Sequence, residues 1–227
     1  MIRLHHVPLG RSFRVMWLLE ELGLDYEVAY YSIRDGSMRT PEFYALSPAG
    51  RVPALEYHGQ TWFESGAILQ LLCEHHPEAG LQPAPGDADR ARYLEMMHYS
   101  ETVGSLVENL NLNHVFLHNP ADASPVVIKL LTARLRAALA AIDARMEHDM
   151  LLPSGFSAAD IMFSYGFELA RYYVEMEQFP KLSAYWDRLK AREGYRRAKA
   201  RDGEQDLYDR DFYPVPEVKR DPSEWKG

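Results

Sequence analysis

Apolar positions recur with two different periods along the chain, and the change falls near residue 80. Before it, short β-branched and aromatic runs alternate with one clear helical stripe. "IRLHH" (2–6) and "YEVAYYS" (26–32) read as strands. Between them, in "FRVMWLLEELG", Val15, Leu18, Leu19 and Leu22 repeat at helical spacing, and Gly23 is placed to take the left-handed C-terminal position. Residues 33–50 hold Gly36, Pro41, Pro48 and Gly50, which predicts irregular backbone with one short helix near "PEFYAL". "PALEY" and "QTWF" predict two strands about a His58-Gly59 turn. "GAILQLLCEHH" predicts a helix that starts at Ser65 and stops before Pro77. The order is β-α-β-(α)-β-β-α, with a parallel pair around the first helix and antiparallel strands in the hairpin.

After "PEAGLQPAPGD" (77–87), which reads as a linker, the pattern becomes almost purely helical. Long stripes cover 88–118 and 124–149, the latter through Val127, Leu130, Leu131, Leu135, Leu139 and Ile142. Further helices are predicted over 156–174 and, as one element, 182–198. The expected division is 1–80, a linker over 81–88, an all-helical part over 89–201 and a tail over 202–227. The tail is polar and carries Pro214, Pro216 and Pro222, with Tyr208, Phe212, Tyr213 and Trp225 as aromatics that would anchor it to the body.

Composition narrows the function classes. The 227 residues carry a net charge of −8, which argues against general binding to nucleic acid or an anionic membrane. The single cysteine, Cys73, allows no internal disulfide and fits a reducing compartment. "RLHH" and "GRSFR" interrupt any signal-peptide pattern, and no stretch reaches the roughly 18 apolar residues of a bilayer span. The expected compartment is the cytoplasm.

Two short motifs admit chemistry. An X-Pro bond is cis in only about 5–6% of cases, so a trans Val52-Pro53 at a strand entrance is the default. A cis bond there would free the Val52 N–H and C=O to bind an extended peptide-like ligand as a strand does. Ser65 reads first as a helix N-cap. The same helix start would also present free N–H groups to a carboxylate, with Ser65 donating and Glu64 accepting from an ammonium. "FSAAD" places Ser157 and Asp160 at capping-box spacing, with Phe156 and Ile161 spaced as a hydrophobic staple, a structural reading. "CEHH" (73–76) and "HVFLH" (114–118) lack metal-ligand spacing, so no metal is expected. No phosphate-cradling glycine loop and no CxxC is present.

"RSFRVMWLLEELGLDYE", "GRVPAL", "ESGAI", "PGDADRARYLEMM", "FSAADI" and "FPKLSAYWDRLKAR", in this order over residues 1–200, resemble the cytosolic glutathione transferase family, with a serine-type-like N-terminal region. The resemblance implies a thioredoxin-like α+β N-terminal domain with a mixed four-stranded sheet, an all-α C-terminal bundle and a homodimer. It implies that Val52 binds the cysteinyl backbone of glutathione beside a cis Pro53, and that Glu64 and Ser65 hold the γ-glutamyl end. Arg51, and more loosely Arg39, would stand near the glycyl carboxylate, and Glu101 would reach the γ-glutamyl amine across a dimer interface.

The catalytic position departs from the family pattern. The tyrosine-type slot holds His5 and the serine-type slot Gly10; the nearest hydroxyl is Ser12, with Arg11 between. A free thiol near pKa 8.5 is only about 3% thiolate at pH 7, and lowering it two units requires about 2.7 kcal/mol of selective stabilisation. Ser12, Arg11 and N–H groups at the first helix are the catalytic candidates. The expected function is activation of the glutathione thiol for attack on a hydrophobic electrophile held between the two parts, against side chains from Tyr99 to His118 and Tyr165 or Tyr172. The alternative, which Gly10 favours, is a non-catalytic glutathione-binding or protein-interaction member of the same fold.

Overall fold

The computed structural model describes residues 1–204 and 207–217; Pro222 and Trp225 of the tail lie outside them. The sheet is built from β1 (Arg3–His6), β2 (Glu27–Tyr30), β3 (Ala54–Tyr57) and β4 (Gln60–Phe63), in the order β2-β1-β3-β4. β1 pairs parallel with β2 and antiparallel with β3, and β3 pairs antiparallel with β4. The β3–β4 turn places His58 at φ 51° and Gly59 at φ 76°, the two positive values a tight two-residue hairpin requires. With the helices α1 (Ser12–Glu21), α2 (Pro41–Leu46) and α3 (Ser65–His75), this is a thioredoxin-like N-terminal domain.

A predominantly helical region follows: α4 (Arg90–His114), α5 (Pro125–Arg145), α6 (Ala158–Ala170), α7 (Pro180–Lys190) and α8 (Glu193–Arg201). α1 is buried from Ser12 to Leu19, Arg14 included, because it is packed on both sides. It packs on α3 and β1 on one side and on α6 and α8 on the other, which joins the two halves. α4 and α6 approach closely at Gly166, where a Cβ would sit 3.0 Å from Val103 Cγ1 and 3.1 Å from the Gly104 nitrogen. α6 begins with the capping box expected at Ser157 and Asp160. The Asp160 carboxylate also accepts from the Leu151 N–H and the Tyr185 hydroxyl, tying α6 to α7.

One element differs from the sequence reading. The helix expected over 182–198 is two helices, broken at Arg192, whose backbone is extended (φ −65°, ψ 140°). The Arg192 guanidinium grips Glu21 of α1 through Nε at 2.9 Å and Nη2 at 2.8 Å. Gly194 lies so close to Glu21 that a Cβ would meet its Cδ at 2.6 Å. Docking on α1 sets this break, and local periodicity carries no sign of it. Among the described residues no helix is long and apolar enough to cross a membrane.

Candidate active site between the sheet and the helical region

Two adjoining cavities lie where the loop before β3, the start of α1 and the start of α3 meet α4. The first, of about 240 Å³, is lined by Val52, Pro53, Glu64, Ser65 and Glu101 among others. The second, of about 210 Å³, is lined mainly by apolar groups from Val7 to Gly10, Ile33, Met38, Phe116, Tyr165 and Leu207. Arg11, Arg51, Val52 and Glu108 border both.

The Val52–Pro53 bond is cis. β3 begins only at Ala54, and neither the Val52 N–H nor its C=O has a hydrogen-bond partner among the described residues. A main-chain donor and acceptor therefore face ligand space as an unpaired strand residue would. At the start of α3, Glu64 holds a strained positive φ of 72°, and the N–H groups of Ser65, Gly66 and Ala67 are unpaired among the described residues. This is a donor-rich, partly positive corner suited to a carboxylate.

Beneath that corner lies an ion-pair chain that the sequence alone does not announce. Arg14, fully buried in α1, donates to the Ser65 hydroxyl at 3.0 Å and to the Glu101 carboxylate. Its Nε and Nη2 have no partner among the described residues, and its guanidinium stands 5.0 Å from the centre of the Tyr165 ring. Glu101 also pairs with Arg11 Nε at 3.3 Å, Arg11 pairs with Glu108 at 2.9 Å, and Glu108 pairs with Arg51 at 2.7 Å. Burial works against the Glu101 charge, but Arg14 and Arg11 outweigh it and hold the carboxyl below its usual range. Glu101 thus lines the cleft of its own chain.

The remaining expected residues separate. Arg51 stands at the exposed rim of both cavities. Arg39, at the end of a short turn of helix (Ser37–Arg39), lines neither. Ser12 is fully buried and faces away from both cavities. Its hydroxyl lies 2.8 Å from His6 Nδ1, accepts from the Val7 N–H at 3.3 Å and reaches the Val7 carbonyl at 3.4 Å. The first turn of α1 points this side chain inward, so it braces β1 and is not among the groups that line either cavity. Arg11 does border the cleft, with unpaired Arg11 and Ser12 N–H groups beside it among the described residues. Tyr165 lines the apolar cavity; Tyr172 instead stacks on Tyr208 of the tail, 3.8 Å between centroids.

Gly10 is a closed slot. The turn Val7-Pro8-Leu9-Gly10 is held by the Gly10 N–H to the Val7 carbonyl at 3.0 Å, with Leu9 at φ 59°. A Cβ on Gly10 would stand 2.7 Å from that carbonyl oxygen. The turn is further braced by the chain end: the Leu9 N–H donates to the Asp202 carboxylate at 3.3 Å, and His6 Nε2 lies 2.8 Å from the Asp202 carbonyl. Burial opposes the Asp202 charge, yet hydrogen bonding from His6 and the charge of Lys199 hold its carboxyl below the usual range. Arg14, Glu108 and Asn111 also belong to this cleft without standing out in the sequence. The available signal was a polar residue on an otherwise apolar buried stripe, as at Arg14 in α1 and Asn111 in α4.

Residues 1–74 match the family described as glutathione S-transferase, N-terminal domain. Glutathione S-transferase 3 of Schizosaccharomyces pombe is 39% identical over 133 residues, which are 58% of this chain and 52% of that protein, so the match spans about half of that relative. Disulfide-bond oxidoreductase YfcG of Escherichia coli is 27% identical over 201 residues, 85% of this chain and 91% of its own. A sphingomonad glutathione S-transferase solved in complex with glutathione is similar at 27% identity and TM-score 0.74, covering 88% of this chain and 98% of that one. A glutathione transferase from Methylococcus capsulatus is similar at 25% identity and TM-score 0.77, covering 89% of this chain and 98% of that one.

Proposed function

The chain belongs to the cytosolic glutathione S-transferase family, and we propose that it binds glutathione in the polar cavity and activates its thiol for attack on an apolar electrophile in the adjoining one. The observation that carries this reading is the unpaired Val52 main chain, set between a zwitterion-binding corner and an arginine rim. Glutathione has matching parts in matching order. Its γ-glutamyl carboxylate suits the first N–H groups of α3 and the Ser65 hydroxyl, and its ammonium suits Glu64 and Glu101. The cysteinyl peptide suits Val52 and the glycyl carboxylate suits Arg51, while Arg39 stands outside this assignment.

The sulfur would then lie at the border of the two cavities, near Arg11 and the N-terminus of α1. The thiol proton passes to solvent. The thiolate, favoured by the Arg11 charge and by the Arg11 and Ser12 N–H groups, which are unpaired among the described residues, forms the bond to carbon as the electrophile's leaving group departs with the bonding electron pair into solvent. Cys73 is buried and burial pushes its thiol up to about 12, so the reactive sulfur has to be the ligand's and not the protein's. The second reading, a binder without turnover, is favoured by the closed Gly10 slot. We also expect a cytoplasmic location and domains over 1–80 and 89–201, as composition and patterning suggest, and a homodimer, as the resemblance implies.

Calorimetric titration with glutathione, followed by pH titration of the thiolate absorbance of the complex, separates these readings. Binding with a thiol pKa depressed by about one unit or more supports activation. Binding with an unshifted thiol makes the protein a binder. No binding rejects both.

A further inference from the structure

The closed slot at Gly10 raises the question of which side chain faces the thiol in its place, and α4 supplies an answer. Asn111 is only 5% exposed and lines the apolar cavity with Gly10, Arg11 and Val52. Its Oδ1 receives two phenolic donors: Tyr173 from the end of α6, and Tyr208 from the tail at 3.0 Å. Burial raises both phenols strongly, with neighbouring tyrosines reinforcing the shift, so both remain protonated. Neither hydroxyl has another acceptor among the described residues. Two donors on one amide oxygen fix the orientation of the carboxamide. The Nδ2 group has no partner among the described residues and is not sealed from solvent, although the side chain around it is buried. A rigid, unused N–H donor pair therefore belongs to the cavity that adjoins Val52.

We propose that Asn111 is a catalytic residue, its Nδ2 donating to the glutathione sulfur and stabilising the thiolate in place of the hydroxyl that Gly10 lacks. The proposal rests on the glutathione reading given above. The thiol proton leaves to water, and the amide loses no proton; it contributes a fixed dipole where negative charge forms, in an apolar enclosure that strengthens the interaction. Tyr173 and Tyr208 are positioning residues, since they act through the amide. Tyr208 is itself held by its stack on Tyr172 and by the Tyr213 N–H to the Tyr172 carbonyl at 2.8 Å. Tyr165 shares the cavity, but its hydroxyl has no hydrogen-bond partner among the described residues that would fix its direction.

The test is the pH titration of bound glutathione in the wild type, Asn111→Asp, Asn111→Ala, Tyr208→Phe and Tyr165→Phe, with affinity measured by calorimetry. Asn111→Asp keeps an acceptor for both tyrosines and replaces the donor by a charge that opposes a thiolate. The expected result is a depressed thiol pKa in the wild type that rises by about one unit or more in both Asn111 variants, while affinity for the thiol form stays within about threefold. Tyr208→Phe, which leaves Asn111 in place and loosens it, should move the pKa part of the way. A depressed pKa retained in Asn111→Asp overturns the proposal, as does one abolished by Tyr165→Phe alone. An unshifted thiol in the wild type removes thiol activation and Asn111 together; absent binding removes the glutathione reading itself.

Discussion

Restoring a serine at Gly10 ought not to restore a catalytic hydroxyl. In Gly10→Ser the new Cβ would meet the Val7 carbonyl oxygen at 2.7 Å, closer than real Cβ contacts come, and the Val52 Cγ2 and Ser12 Oγ at 3.4 Å. The first of these atoms is backbone, so no side-chain rotation relieves it. Relief requires the turn to open, which gives up the Gly10 N–H bond to Val7, worth about 1 kcal/mol. Overpacking adds about 1–2 kcal/mol more. The expected destabilisation is about 2–3 kcal/mol, read in urea unfolding, and about 4–12 °C in Tm for a chain of this size. The bound thiol should gain no further acidity, because the opened turn carries the new hydroxyl away from Val52. A Gly10→Ser protein as stable as the wild type, with a bound thiol at least one unit more acidic, would refute this steric argument.

The remaining expectations follow from the same geometry. Ser12→Ala should lose about 1–2 kcal/mol of stability by leaving His6 and the Val7 N–H short of a partner, with the bound thiol pKa unchanged; a raised thiol pKa at full stability would return the hydroxyl to the chemistry. Arg14→Met should weaken glutathione binding about tenfold by calorimetry, with circular dichroism confirming the fold, because Ser65 and Glu101 lose the guanidinium that holds them. The Asp202 carboxyl sits below its unfolded value, so its charge contributes stability above roughly pH 4 that disappears as pH falls through the lower folded value. Asp202→Asn should therefore be less stable at neutral pH, and its deficit against the wild type should shrink in acid; a deficit constant with pH would contradict the linkage.

Elements governed by local rules were legible in the chain. The β3–β4 hairpin follows from His58-Gly59, the end of α1 from Gly23 at φ 65°, and the start of α6 from the capping box. The break between α7 and α8 was not legible, because its cause is Glu21, far away in sequence. The same distinction holds in the cleft. The features of Glu64, Ser65 and Val52 that suit the proposed ligand lie in backbone conformation beside short motifs. Ser12 looked available because it is the hydroxyl nearest the slot, but the direction of a side chain at a helix start depends on how the helix packs, and α1 turns it toward His6. Asn111 gave no motif at all; its candidate role comes from Tyr173 and Tyr208, which converge on it from the turn after α6 and from the segment after α8.

The contact of Asp202 with the turn around Leu9 couples the segment just after α8 to the loop just after β1. A change of length or register near residue 202 should alter the loop that lines the apolar cavity, although 193 positions separate Leu9 from Asp202 in sequence. Exchanging the C-terminal segment with that of a relative would exchange part of the N-terminal chemistry as well. Comparisons confined to the first 74 residues therefore pass over Asp202, which braces the loop lining this cavity.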